Sequence, residues 1–152
     1  MTDLTVRGLV SSKIWDYENG YYWFSDTRRI GKLLAHYELY KMVTGMPGDI
    51  VECGVYKLAS VIRFATFRSL LETVYSRKLF AFDAFGEFPT DGLQNKDDLS
   101  FVKSFETVGG DGFSKDEAHK VLKHKQLGNN IFCIKGDVKQ TIPTWLQQNT
   151  QG

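Results

Sequence analysis

The sequence predicts an α/β fold in which a small parallel sheet is covered by helices. Three short apolar runs, residues 50–53, 78–83 and 130–134, have the length and composition of strands. Segments with helical spacing lie between them, and strands that alternate with helices form parallel sheets with right-handed crossovers. We therefore expect an N-terminal aromatic arm and helix over residues 1–46, followed by a sheet domain over residues 47–152.

The composition is typical of one globular domain. The 152 residues are 42% hydrophobic and carry 19 basic against 18 acidic side chains, so charge gives no reason to expect a nucleic-acid or anionic-membrane partner. No apolar run approaches the length of a membrane span, and the first residues lack the regions of a signal peptide. Cys53 and Cys133 fall in predicted strands and are expected to be buried thiols, which favours a cytoplasmic location.

The N-terminal segment is dense in aromatic side chains. Between residues 15 and 24 these are Trp15, Tyr17, Tyr21, Tyr22, Trp23 and Phe24. They indicate either a packed arm or lid, or rings that cover an edge of the core. Asp26 and Thr27 then begin a predicted helix that ends at Gly45. His36 lies within it, a position more typical of a structural histidine than of a catalytic one.

The first strand leads into a glycine turn and a helix. Gly54 ends the strand, and Ser60 stands where the helix is expected to begin, as its N-cap. Such a turn lets backbone N–H groups and the positive end of the helix dipole face a ligand. The spacing E-x-G-x-x-x-L-x-S differs from the G-x-G-x-x-G of dinucleotide folds. Spacing alone leaves two interpretations open, an ordinary strand-to-helix turn and a nucleotide-type site.

The second strand is apolar until it ends at Asp83. A carboxylate at this place in a β-α-β unit can accept hydrogen bonds from two ribose hydroxyls. A cap for the following loop is the alternative role. The pattern does not decide between them.

The remaining helices are predicted from their capping residues. Asp97 is expected to cap one helix, and Ser114 with Glu117 forms a capping box for the next. A last helix is expected to begin at Thr141, after the third strand.

Three separated motifs resemble those of a known family. "HYELYKMV…PGDIVECGVYKLAS", "FAFDAFGEFP" and "IKGDVKQTIP" resemble the macrocin-type (TylF-type) O-methyltransferases over about residues 27–145. These are class I enzymes that use S-adenosylmethionine and mostly methylate sugar hydroxyls. The resemblance implies a Rossmann-like class I methyltransferase fold, of which this chain holds the N-terminal half with parallel strands in the order 3-2-1. It also implies a sugar acceptor as partner.

The resemblance assigns five residues to the cofactor. Glu52 and Gly54 would line its methionine side, and Ser60 would lie near its carboxylate. Asp83 would hold the ribose, and Asp137 would sit beside the adenine. No catalytic residue is assigned, because the histidines of the chain match no motif.

Two departures from the family pattern shape the expectations. Leu58 replaces the second glycine, and its side chain is expected to project toward the cofactor and weaken binding. The fourth strand, whose acids bind Mg²⁺ in the complete family enzyme, is missing, so no metal ligands are predicted and the half-domain is expected to be truncated. The first strand would then keep an unpaired edge, which predicts a homo-oligomer or coverage by the arm.

Two functions from different classes follow. The first is an S-adenosylmethionine-dependent O-methyltransferase, or a fragment of one, that acts on a sugar hydroxyl. The alternative is a truncated, non-catalytic Rossmann-like domain with only an oligomerisation or binding role. An NAD-dependent dehydrogenase is disfavoured because the chain lacks G-x-G-x-x-G.

Overall fold

The computed structural model describes residues 3–90 and 93–149 of the chain. Its elements follow in the order β1 (Thr5–Val6), β2 (Leu9–Val10), a 3₁₀ turn (Ser11–Lys13), α1 (Ile14–Phe24), α2 (Thr27–Val43), β3 (Ile50–Cys53), α3 (Ala59–Leu71), β4 (Leu79–Asp83), α4 (Lys96–Gly109), α5 (Lys115–His124), β5 (Ile131–Lys135) and α6 (Val138–Asn149). Among these helices, none is both long enough and apolar enough to cross a membrane.

The sheet consists of β3, β4 and β5, with β4 in the middle and both pairs parallel. The predicted α/β fold with a three-stranded parallel sheet is therefore confirmed. Cys53 lies opposite Phe82, and Asp83 lies opposite Lys135. All three strands consequently end at the same edge of the sheet, while β3 pairs with β4 alone among the described residues.

Helices cover both faces of the central strand. Alternate residues of β4 point to opposite faces, and the whole apolar part of the strand is buried. Leu79 and Ala81 join a core cluster with Val61 and Ala65 of α3 and Leu122 of α5. On the other face, the rings of Phe80 and Phe82 contact Trp145 of α6, with centroids 4.7 and 5.9 Å apart.

The edge strand β3 is less buried than its sequence predicts. Val51 is 48% exposed and the Cys53 thiol is exposed, so the expectation of two buried cysteines is wrong for Cys53 and right for Cys133. The reason is the position of α6, whose Trp145 covers the β4 side of this face. Val51 and Cys53 lie on that same face, beyond the cover that Trp145 provides.

The helix N-termini agree with the predicted caps at α2 and α5 and differ from the predictions at α4 and α6. Asp26 caps α2, and the capping box of Ser114 and Glu117 opens α5, as predicted. The cap of α4 is Asn95 rather than Asp97, because the Asn95 side chain accepts the Asp97 backbone N–H. Helix α6 begins at Val138, three residues before the predicted start.

Asp137 causes this earlier start. Its side chain accepts the Lys139 backbone N–H at 2.9 Å, and its carbonyl accepts those of Gln140 and Thr141. These bonds satisfy N–H groups of the first turn, so the helix can begin directly after Asp137.

The N-terminal segment forms a β-hairpin and a helix. The expected packed aromatic arm is wrong for α1, which buries none of its residues and leaves Trp15, Trp23 and Phe24 more than 70% exposed. The hairpin supplies the attachment instead. Arg7 forms ion pairs with Asp111 at 2.7 Å and with Glu117 at 2.6 Å, which tie β1–β2 to the start of α5.

Candidate ligand-binding site

A cavity of about 410 Å³ opens where the three parallel strands end. The strand ends contribute Cys53, Gly54, Asp83, Gly136 and Asp137 to its lining. Ligands of open α/β sheets bind outside the carboxyl ends of the strands, where turns rather than strands present the backbone. The cavity is therefore at the position where this architecture places a ligand.

The turn between β3 and α3 has an unusual backbone. Gly54, Tyr56 and Leu58 have φ angles of 81°, 51° and 63°, all in the left-handed region that favours glycine. The turn is closed by a hydrogen bond from the Leu58 N–H to the Val55 carbonyl at 2.8 Å. The alternating conformation turns the backbone of Gly54 toward the cavity.

Asp83 holds this turn in place. Its Oδ2 accepts the backbone N–H groups of Val55 at 2.7 Å and Tyr56 at 3.1 Å, and its Oδ1 accepts that of Phe85 at 2.7 Å. The loop-capping role that the sequence left open is thus present. Asp83 also lines the cavity, so the residue that organises the two loops borders the space between them.

Ser60 does not cap α3, contrary to the prediction. Helix α3 begins at Ala59, with Leu58 in the N-cap position, and Ser60 lies one residue inside the helix. The Ser60 hydroxyl instead donates a hydrogen bond to Glu52 Oε1. The turn is shorter than expected because its left-handed residues reverse the chain within four positions of Gly54.

Glu52 is a half-buried carboxylate behind the turn. Its Oε2 is buried and has no hydrogen-bond partner among the described residues. Burial raises the pKa of the Glu52 carboxyl, although the Ser60 hydrogen bond opposes this. Glu52 and Ser60 pair with each other and are not among the residues that line the cavity.

Leu58 corrects the expectation drawn from its place in the motif. The side chain is completely buried in the core with Val55 and Val61, and it does not line the cavity. It therefore does not project toward a ligand. The position requires a left-handed φ, which costs a residue with a Cβ about 1–2 kcal/mol and glycine nothing. Burial of four side-chain carbons offsets that strain.

Gly136 and Asp137 complete the strand-end lining after β5. Gly136 has a φ of 145°, and a Cβ there would approach Thr141 Cγ2 to 2.7 Å. Glycine is thus required both by conformation and by space. Asp137 follows directly, at the start of α6. The structure brings Gly54, Asp83 and Asp137 to one cavity, whereas Glu52 and Ser60 are not part of its lining.

Several lining residues were not singled out from the sequence. They come from the β3–α3 turn, from the loop after β4 and from α4 with the residue that follows it, and include Tyr56, Phe88, Phe105, Glu106 and Gly110. The Tyr56 and Phe105 rings lie 5.1 Å apart. Tyr56 and Phe88 stand inside two of the quoted motifs, which was the signal available from the sequence. Phe105, Glu106 and Gly110 lie outside those motifs, and only the fold brings them to the cavity.

The cavity is acidic. Asp83, Glu87, Glu106 and Asp137 line it, and none of the described lining residues is a lysine, arginine or histidine. Residues 3–90 and 93–149 contain no group of three or more His, Cys, Asp or Glu side chains that could hold a metal ion. His36 stacks on Phe64 at 5.1 Å, where burial lowers the pKa of its imidazole.

A parallel sheet covered by helices, with a cavity at its carboxyl edge, defines an α/β domain of the Rossmann-like class. The sequence model of the macrocin O-methyltransferase family (TylF) matches residues 23–151. The chain therefore belongs to the macrocin O-methyltransferase family, and the resemblance seen in its motifs is confirmed. No curated protein matches it.

Two solved structures of CalS11 share the fold. The first is the apo structure of CalS11, described as a TDP-rhamnose 3'-O-methyltransferase of calicheamicin biosynthesis; it is 24% identical, with a TM-score of 0.55, over 91% of this chain and 53% of its own. The second, described as calicheamicin methyltransferase, is 22% identical with a TM-score of 0.56 over 88% and 54%. The chain thus spans about half the length of these structures.

Proposed function

We propose that this chain is the cofactor-binding part of an S-adenosylmethionine-dependent O-methyltransferase that acts on a sugar hydroxyl. Membership of the macrocin O-methyltransferase family supports the reaction class. The fold-mate CalS11 is described as a methyltransferase of a nucleotide-linked sugar, which supports the acceptor class. The observation that carries the proposal is the acidic cavity bounded by Gly54, Asp83 and Asp137.

The residues of the cavity fit this cofactor. Its volume of about 410 Å³ lies within the usual range of roughly 300–1,000 Å³ for small-molecule pockets. S-adenosylmethionine, when bound, supplies its methyl group on a positively charged sulfonium. A lining with four carboxylates and no basic side chain among the described residues favours such a cation over an anionic dinucleotide.

Each site residue receives a separate role. Gly54 lets the backbone approach the ligand, and Asp137 is proposed to lie beside the adenine. An ionised carboxylate has about four acceptor positions, of which Asp83 uses three for backbone N–H groups. The remaining position is proposed to accept a ribose hydroxyl. Glu52 is proposed to line the methionine side of the cofactor, since its buried Oε2 has no hydrogen-bond partner among the described residues. Ser60 is proposed to lie near the methionine carboxylate.

The chain's own share in methyl transfer would be binding and orientation, which can supply a large part of a rate enhancement. Activation of the acceptor hydroxyl is a separate task, and Mg²⁺ is proposed for it in the complete family enzyme. No described residue is assigned as the base. The proposal for these residues is therefore cofactor binding, while sugar methylation belongs to the complete enzyme.

Calorimetric titration with S-adenosylmethionine and with S-adenosylhomocysteine tests the proposal. We expect single-site binding of both and none of NADH, which carries phosphates. Ala84 lines the cavity, so Ala84→Leu should lower affinity about ten- to hundredfold, the scale of 1–3 kcal/mol for overpacking. Ala35→Leu, on an exposed position of α2, is the matched control. Absence of binding, or equal binding of NADH, would contradict the proposal.

The two cysteines provide a second, independent measurement. The Cys53 thiol is exposed at the cavity, whereas Cys133 is buried and burial raises its pKa. A thiol-reactive disulfide reagent should therefore modify Cys53 first, and saturating S-adenosylhomocysteine should slow that reaction. Cys53→Ser should remove the fast phase. A fast phase that the ligand leaves unchanged would place the ligand elsewhere.

We also propose that the chain forms a homo-oligomer in the cytoplasm. One edge of β3 pairs with no strand among the described residues, and Val51 is 48% exposed; this supports association, because such edges recruit other strands. Both cysteines are free, which is typical of a reducing compartment. Sedimentation velocity should give a mass above 17.3 kDa per particle. A monomer at micromolar concentration would contradict the association.

A further inference from the structure

Helix α4 covers the cavity and has little contact with the core. Of its 14 residues only Val102 is buried, and Phe101 and Val108 are 66% and 92% exposed. Phe105 and Glu106 from the same helix line the cavity. An element with few buried contacts opens more easily than the core to which it is attached. Helix α4 therefore has the placement and the loose packing of a lid.

Tyr56 makes the main connection between this helix and the β3–α3 turn. Its Oη lies 2.5 Å from the Gly109 carbonyl oxygen and 3.0 Å from that of Gly110, so its one O–H is shared between two acceptors. The Lys57 ammonium also donates to the Gly109 carbonyl. The last carbonyls of a helix lack partners within the helix. Here the turn beside the cavity provides them.

Glycine at position 109 is required for this approach. A Cβ on Gly109 would lie 2.5 Å from Tyr56 Oη. The chain beyond the helix is then anchored, since Gly112 donates to the Gly86 carbonyl at 3.1 Å and Phe113 to the Tyr56 carbonyl at 2.9 Å. Gly110, with a φ of 69°, lies between the helix and this anchor. Gly110 is therefore placed as a hinge for α4, and the hydrogen bonds of the Tyr56 hydroxyl lie beside it.

The contact between Tyr56 and the end of α4 is connected to the ligand side of the cavity. Tyr56 has a left-handed φ of 51°, and its N–H donates to Oδ2 of Asp83, a residue that lines the cavity. A ligand that contacts Asp83 or the Gly54 turn would stabilise the conformation in which Tyr56 reaches Gly109. Binding and closure would then favour each other, because they share one backbone conformation.

We propose that α4 is a lid over the cavity and that Tyr56 is the positioning residue that holds it closed. The lid itself is a property of the protein without ligand; its effect on the cofactor rests on the proposed function. The Tyr56 ring contributes by contact with Phe105 of the lid, and its hydroxyl by the bonds to Gly109 and Gly110.

Hydrogen exchange of the ligand-free protein tests the lid directly. Tyr56→Phe keeps the ring against Phe105 and removes the hydroxyl. We expect the amides of residues 96–109 to exchange about three- to tenfold faster, the effect of losing one such hydrogen bond. Gly109→Ala, which crowds the Tyr56 hydroxyl, should act in the same direction. Tyr75→Phe, at a side chain that is 79% exposed, is the matched control and should change nothing.

Ligand release provides the second readout. Dissociation of S-adenosylhomocysteine from Tyr56→Phe should be about three- to tenfold faster than from the wild type, with an unchanged melting temperature. Equal exchange of α4 in Tyr56→Phe and wild type would overturn the lid, whatever the ligand does. Faster exchange throughout the chain would overturn the positioning role and make Tyr56 a general structural residue. Faster α4 exchange in a protein that binds no adenosyl ligand would support the lid and reject the proposed function.

Discussion

The two ends of the parallel sheet differ in how their buried polar side chains are paired. At the amino ends of the strands, Arg68 is completely buried. Its terminal nitrogens donate to the carbonyls of Arg77 at 2.8 Å and Asn129 at 2.6 Å, while its Nε has no hydrogen-bond partner among the described residues. At the carboxyl ends, Glu52 Oε2 is buried and has no partner among the described residues. Buried polar groups are normally paired, so the exceptions need a reason. The carboxylates of the two ends differ: Glu72 is paired with Arg77 at the amino end, whereas Glu52 keeps an unpaired oxygen at the carboxyl end, where we propose that a ligand binds.

The amino end contains a closed charge network. Arg77 pairs with Glu72 at 2.7 Å, and both side chains are less than 10% exposed. Tyr40 donates to Glu72 at 2.5 Å, and the Arg77 guanidinium lies 5.7 Å from the Tyr40 ring centre. Hydrogen bonds from Arg77 lower the pKa of Glu72 to about 2. Glu72 and Arg77 are therefore paired with each other, and both are held in the fold by this network.

Left-handed backbone conformations occur at both ends but are more numerous at the carboxyl end. Three bulky residues adopt them there, namely Tyr56, Leu58 and Phe85, and one bulky residue, Gln126, does so in the segment that leads into β5. At the amino end the left-handed position beside β5 is taken by Asn130, a type that tolerates it. Strained residues of this kind persist where the surrounding structure holds them and are concentrated at functional sites. The Asp83 carboxylate supplies that support here.

Removal of a charge at the amino end should have the largest effect. Arg77→Met leaves Glu72 buried without its ion pair and should lower the free energy of unfolding by about 3–5 kcal/mol in urea denaturation. Ligand affinity of the folded protein should not change, because the network is remote from the cavity. Arg77→Met with Glu72→Leu should recover much of the loss. If Arg77→Met alone lowered the free energy of unfolding by less than about 1 kcal/mol, the amino end would not have the stabilising role assigned to it here.

Acid should unfold the protein through the same network. The Glu72 pKa falls from its ordinary 4.5 in the unfolded chain to about 2 in the fold, so its stabilising effect is complete above pH 4.5. It is lost as the pH falls from 4.5 toward 2, and amounts to a contribution on the order of 3 kcal/mol. Urea denaturation at several pH values measures the slope. Glu72→Gln should flatten it, and an unchanged slope in that variant would assign acid sensitivity elsewhere.

Leu58 separates packing from backbone strain at the carboxyl end. Leu58→Gly loses a buried leucine, about 2–5 kcal/mol, and regains about 1 kcal/mol from relief of the left-handed conformation. The net loss should be about 2 kcal/mol, with no gain in affinity for S-adenosylmethionine. Leu58→Ala keeps the strain and should be less stable than Leu58→Gly, opposite to the order in helix interiors. Tighter ligand binding by Leu58→Gly would show that leucine does obstruct the site.

Replacement of Glu52 should cause the smallest change in the free energy of unfolding, and it should stabilise the protein rather than destabilise it. Burial raises the pKa of its carboxyl, so the charged form at pH 7 is unfavourable in the fold. Glu52→Gln should raise the free energy of unfolding by about 1 kcal/mol and weaken ligand binding about tenfold. Glu18→Gln, at an exposed position of α1, is the control. Lower stability with unchanged affinity would make Glu52 a structural residue like those of the amino end.

Local patterns predicted those features that neighbours in sequence control. The caps at Asp26 and at Ser114 with Glu117 were predicted correctly, because each bond joins residues two or three positions apart. The strands were located within one residue, since their apolar runs are bounded by breakers. Gly54 and Asp83 were singled out from the ends of those strands and Asp137 from the family resemblance, and all three line the cavity.

Long-range packing controlled the predictions that were wrong. Ser60 matches an N-cap by spacing, yet the left-handed Leu58 starts the helix earlier and leaves Ser60 to bond with Glu52. Cys53 matches a buried strand residue, yet α6 covers β4 rather than β3. In both cases an element distant in sequence decided the environment of the residue.

By itself, the sequence determined the alternation of strands and helices and therefore the edge at which a ligand site can form. Apolar periodicity, breakers and caps act over a few residues, and the chain order of such elements is enough to imply a parallel sheet. Only the tertiary structure decided that Leu58 enters the core, that α4 lies over the cavity and that Tyr56 reaches Gly109. These depend on contacts across as many as 53 residues, for which no local pattern carries a signal.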